Sequence, residues 1–101
     1  MSIRMKPADR RLEILEAALV AAQRHGWARM TRDHVAAVAK TSPGLVSARL
    51  GTMDALRGHV MRLAVRQGVE SVVAEGLALR HPAALKAPDD LKARALASLI
   101  K

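Results

Sequence analysis

Apolar residues recur along the first quarter of the chain at helical spacing. Leu12, Leu15, Leu19 and Ala22 fall three or four positions apart, with Ala18 beside them. This pattern predicts a helix over residues 9–25. Gly26 ends it, because glycine tolerates the left-handed conformation that closes a helix. Thr31 predicts an N-cap, and Asp33 adds negative charge in the first turn, where the helix dipole favours it. The helix over 32–39 is expected to bury Val35, Val38 and Ala39. Ser42 then fits an N-cap and Pro43 the first position of a further helix, reaching residue 49 or 50. Two short helices joined so briefly form the skeleton of a helix-turn-helix.

Gly51 breaks the pattern again and Thr52 fits the cap of a fourth helix, striped by Met53, Leu56, Val60 and Leu63. Helical character continues through Val69, Val72, Val73 and Leu77. Gly58, Gly68 and Gly76 weaken it, and a break is expected near Gly68. His81-Pro82 ends this stretch, and residues 83–87 read as one short turn. Pro88-Asp89-Asp90 opens a last helix, whose apolar set is Leu91, Ala95, Leu96, Leu99 and Ile100. There are few β-branched runs and no Asn-Gly or Asp-Gly hairpin signal. The fold class is therefore all-α: a three-helix head, a longer fourth helix and a C-terminal helix. The expected divisions are a flexible basic arm (1–8), the helix-turn-helix region (9–56) and a helical extension (57–101), all within one compact domain.

Charge narrows the partners. Across 101 residues, Lys and Arg number 17 against 9 acidic residues, a net charge of +8. A small domain this basic suits an anionic partner: nucleic acid, an anionic membrane or an acidic protein. No stretch is long and uncharged enough to span a bilayer, and the start lacks the apolar core of a signal peptide. A cytoplasmic, nucleoid-associated location is the expectation. The absence of Cys excludes disulfides and thiolate metal sites. Trp27 is the sole aromatic residue. That argues against base-stacking binders of single strands and leaves duplex DNA, which needs no aromatic platform. Trp27 itself reads as a core anchor.

The residues from Arg11 to Leu56 resemble the TetR/AcrR-type DNA-binding domain. Ile14-Leu15 and Ala17-Ala18 match the paired apolar positions of its first helix. Gly26-Trp27, Thr31, Val35-Ala36 and Ala39-Lys40-Thr41-Ser42 follow in register, then Gly44, Val46-Ser47, Leu50, Thr52-Met53-Asp54 and Leu56. No gap is needed, and the match covers slightly under half the chain. Three positions depart from the family pattern. Lys40 stands for the turn glycine, Ser47 for a tyrosine aimed at phosphate, and Met53 for a lysine that commonly touches phosphate. The family also carries a large ligand-binding domain, for which residues 57–101 are too few, so no effector pocket and no small-molecule inducer are expected. Short chains of this look are also similar to phage and prophage regulators.

The resemblance implies a sequence-specific regulator of transcription, a repressor in its expected form. A recognition helix offers its first residues to base edges, here Thr41, Ser42, Pro43, Gly44 and Ser47. Hydroxyls serve several bases and give modest selectivity. Arg32, Lys40 and Arg49 are placed to meet phosphates, which positions a protein without reading sequence. Thr31 and Thr52 sit at helix N-termini, which attract phosphate. Thr31 and Ser42 are read both as caps and as DNA contacts, and Gly44 first as a glycine for close helix packing. Arg4, Lys6, Arg10 and Arg11 form a candidate minor-groove arm, with a disordered tail as the alternative. Apolar surface over 60–79 and 91–100 exceeds what a three-helix head needs and predicts a two-fold homodimer.

Two other functions stay open: a protein-binding inhibitor or adaptor that reuses the scaffold on an acidic partner, and a sequence-blind nucleoid-type binder. An enzyme is not expected. His25, His34, His59 and His81 lack metal-ligand spacing, Asp89-Asp90 reads as a helix start, and no phosphate loop or nucleophile elbow is present. No cofactor or metal is called for.

Overall fold

Among the described residues, seven helices and a closing 3-10 turn follow from local stop and start signals. The structure, a computed structural model, describes residues 7–100. Arg4 and Lys6 of the candidate arm lie outside the described residues. Helix α1 spans Pro7–His25, α2 Arg32–Ala39, α3 Pro43–Leu50 and α4 Met53–Gln67. Helices α5 (Glu70–Ala78), α6 (Pro82–Leu85) and α7 (Asp89–Ala97) follow, and the 3-10 turn covers Ser98–Ile100. The all-α class is as the composition predicts, and among the described residues there is no strand. None of the described helices is long and apolar enough to cross a membrane.

Three of the six breaks between helices are glycines in conformations that disfavour a side chain. Gly26 (φ +93), Gly51 (φ +80) and Gly68 (φ +69) end α1, α3 and α4. Gly68 is the break expected inside the long apolar stretch. Helix α1 starts two residues earlier than its stripe suggests, at Pro7. Its buried face consists of Ile14, Leu15, Ala17, Ala18, Leu19, Ala21 and Ala22. The four alanines let neighbouring helices approach, and α1 packs on α2, α3 and α4. Leu12 is not part of this face and is 47% exposed. It lies three residues before Leu15, but the packed stripe is centred on Ile14, Ala18 and Ala21.

Helix α4 is the central beam, packed against α1, α3, α5 and α6. Leu56, Val60, Met61, Leu63 and Ala64 are buried along it. Each of the four larger side chains, Leu56, Val60, Met61 and Leu63, contributes about 1.5–3 kcal/mol relative to exposure. The chain then folds back. Val72, Val73 and Ala74 of α5, Ala84 and Ala87 around α6, and Leu91 and Ala95 of α7 join the same continuous core as Ile14 and Val35. Much of the apolar surface over 60–79 and 91–100 is thus used inside the chain, where a partner subunit was expected to cover it. From the last helix's apolar set only Leu91 and Ala95 are buried. Leu96, Leu99 and Ile100 are exposed, Ile100 by 84%.

Trp27 is the anchor between the two halves. Its ring is buried, and its Nε1–H donates to the Arg57 carbonyl of α4 at 3.0 Å. The backbone N–H of Trp27 donates to the Glu75 carboxylate of α5 at 2.7 Å. The His81 ring meets the indole edge-on, 5.5 Å between centroids.

Candidate nucleic-acid interface

Three hydroxyls cap three successive helices in the same way. Thr31 Oγ1 accepts from the His34 N–H at 3.2 Å, Ser42 Oγ from the Leu45 N–H at 3.1 Å, and Thr52 Oγ1 from the Ala55 N–H at 3.1 Å. All three cap residues have extended backbone, as N-caps require. At α2 the cap is reciprocal: the Thr31 N–H donates to His34 Nδ1 at 3.1 Å. The His34 ring is itself stacked on His25, 3.7 Å between centroids. A capping hydroxyl that accepts keeps its own O–H to donate. The two readings of Thr31 and Ser42, cap and contact, are therefore chemically compatible.

The turn between α2 and α3 is closed by Lys40 in the left-handed conformation (φ 56, ψ 48), its N–H donating to the Ala36 carbonyl. The Thr41 N–H reaches the same carbonyl at 3.0 Å, so the last turn of α2 is wrapped shut. Lys40 thus holds a backbone shape that favours glycine, with its side chain in solvent. Ser42, Pro43, Gly44 and Arg49 are exposed, and Thr41 and Ser47 are half-buried. A Cβ on Gly44 would meet nothing nearer than Ser42 Oγ at 3.9 Å. Close helix packing therefore does not require this glycine, contrary to the expectation for it. Arg10 and Arg11 lie in the first turns of α1, where Arg10 pairs with Glu13 at 2.5 Å.

The starts of α2, α3 and α4 line one shallow cleft of about 360 Å³. Thr31, Arg32 and Asp33 border it from α2, Pro43 from α3, and Met53 and Arg57 from α4, with Met30 at its floor. Arg32 Nε and Arg57 Nε are both buried and have no hydrogen-bond partner in the protein. Arg57 is held there by weak bonds from Nη2 to the Ala28 and Met30 carbonyls, each 3.4 Å. Two guanidinium groups and three helix N-termini bring positive potential to one place. The capping hydroxyls take the third N–H of each helix and leave earlier N–H groups without intrahelical partners, except at Pro43, which has none. Asp33 is the single carboxylate bordering the cleft.

Of the sequence-predicted residues, Thr31, Arg32 and Pro43 border this cleft directly, and Thr52 caps a helix whose first residue, Met53, lines it. Arg57 was missed. The available signal was its place four residues after Met53, on the same helical face. Among the described residues no group of three metal-ligating side chains comes together. A scan against protein-family profiles, a search of curated proteins and a search of solved structures each return no match to this chain. The functional reading rests on the residues and their geometry.

Proposed function

We propose that this protein binds double-stranded DNA, docking α3 in the major groove as the second helix of a helix-turn-helix. The observation that carries the reading is the cleft where α2, α3 and α4 begin, with its two arginines whose Nε groups lack partners. A backbone phosphate is the ligand such a constellation suits, because N-terminal N–H groups and guanidinium groups both favour a small dense anion. Arg57 supplies to this cleft the cation that Met53 does not. Arg32, Lys40 and Arg49 then set the register through phosphates, while Ser42, Ser47 and Thr41 face bases. The resemblance to the TetR/AcrR-type domain supports the same assignment. Transcriptional regulation, most simply occlusion of a promoter from within the nucleoid, follows from it.

A homodimer extends the proposal. Leu96, Leu99 and Ile100, exposed at the end of α7 and in the turn after it, are the apolar surface offered to a second copy. A two-fold pair would read inverted half-sites separated by a whole number of helical turns.

The test is selection of random duplex DNA by the purified protein near physiological salt. Enrichment of an inverted repeat is the expected result. Enrichment of one unpaired site would keep DNA binding and remove the symmetric dimer. No enrichment, with weak and steeply salt-dependent binding, would reject sequence recognition and turn attention to an acidic protein partner.

A further inference from the structure

A second cleft, larger and unforeseen in the sequence, runs between α4 and α6. Its volume is about 710 Å³, within the range of sites that hold small molecules. Three cations border it: Arg62 and Arg66 from α4 and Lys86 after α6. None of the three pairs with a carboxylate among the described residues. Asp54, at the head end, is the single acid on its border. The walls between these charges are apolar, built from Ala55, Val65, Pro82 and Ala83.

Gly58 lies buried beneath the Arg62 guanidinium at this cleft. A glycine inside a helix weakens it, and that cost is normally repaid by close packing. Gly76 of α5 shows such packing: a Cβ there would lie 2.5 Å from the Met61 methyl and 2.7 Å from Ala84 Cβ. At Gly58 the nearest neighbours of a Cβ would be atoms of the Arg62 guanidinium, from 3.4 Å outward.

Two histidine rings border the cleft beside these cations. His59 Nδ1 lies 2.8 Å from Arg62 Nη2. Burial, with the Arg11 and Arg62 guanidinium groups close by, holds the His59 imidazole below its ordinary pKa. Burial and Arg62 do the same to His81.

We infer that the α4–α6 cleft is a binding site for a small amphipathic anion, its acidic head on Arg62, Arg66 and Lys86 and its apolar body against Ala55, Val65, Pro82 and Ala83. This site is separate from the phosphate cleft and does not depend on DNA binding. Sodium octanoate is the probe, titrated into the full chain and followed by amide nitrogen–proton NMR. The expected result is saturable shifts confined to residues 54–66 and 81–86. Acetate, which lacks the apolar body, and 1-octanol, which lacks the charge, should each bind at least about tenfold more weakly. Gly58→Leu, whose side chain would displace the Arg62 guanidinium, should weaken octanoate by a similar factor while the spectrum stays dispersed. The double variant Arg66→Gln with Lys86→Gln, on the exposed rim, should erase the preference for octanoate over octanol. Absence of saturation overturns the inference. So does equal binding of acetate or octanol, or full octanoate affinity in both variants.

Discussion

Replacing Lys40 with glycine should make the protein more stable and a weaker DNA binder at once. Lys40 sits at φ 56, ψ 48, a conformation that costs a residue with a side chain about 1–2 kcal/mol. Glycine removes that strain but has more freedom to lose on folding, about 0.5–1 kcal/mol. The hydrogen bonds to the Ala36 carbonyl are backbone bonds and survive the change. The net expectation is a gain of about 0.5–1 kcal/mol, or about 2–8 °C in Tm for a domain of this size. Thermal and urea unfolding of Lys40→Gly beside Lys40→Ala provides the assay, since alanine removes the charge but keeps the strain and should leave stability within about 0.5 kcal/mol. In both variants one phosphate contact is lost, so the slope of log affinity against log salt should fall by about 0.9. A less stable glycine variant would refute the strain argument. An unchanged slope would show Lys40 to be an ordinary solvated charge.

The two helix glycines should respond in opposite directions. Gly58→Ala should stabilise by about 0.5–1 kcal/mol, whereas Gly76→Ala, forced against Met61 and Ala84, should cost about 1–3 kcal/mol; paired urea melts compare them directly. Stability should also fall with acid. His59 and His81 have lowered folded-state pKa values, so the unfolded chain binds protons first, and stability held above pH about 6.5 is lost as pH drops through the lowered values. The His81 ring also accepts the Ala83 N–H on Nδ1, a bond that protonation removes. His59→Gln with His81→Asn should flatten the profile of Tm between neutral and mildly acid pH, and an unflattened profile would move the cause elsewhere. Glu75→Gln should cost about 1–2 kcal/mol, because its carboxylate takes the Trp27 and Ala28 N–H groups and an amide presents a donor to one of them; no change in the urea midpoint would contradict this.

Local signals made the helix ends readable. Thr31, Ser42 and Thr52 announce their caps, Gly26, Gly51 and Gly68 their stops, and α2 has the bounds that the residue pattern predicts. What depends on one element meeting another was not readable. Spacing alone could not tell that the buried face of α1 is centred on Ile14 and excludes Leu12. It could not show that α5, α6 and α7 fold back onto α4 and bury Val72, Ala84 and Leu91 within the chain. Arg57 looked like one more charge on a helix until the starts of α2 and α3 were brought beside it. The α4–α6 cleft escaped notice for the same reason, since Arg62 and Lys86 are far apart in sequence.

The central claim is that the cleft where α2, α3 and α4 begin holds a DNA phosphate. Its most direct test is the affinity of a labelled duplex for the wild-type chain and for Arg32→Ala, measured by fluorescence anisotropy across a salt series. Arg32 borders the cleft and makes no ion pair among the described residues. The account predicts a folded variant of near wild-type Tm, weaker binding and a salt slope reduced by about 0.9. Wild-type affinity and an unchanged slope in a folded Arg32→Ala protein would contradict it.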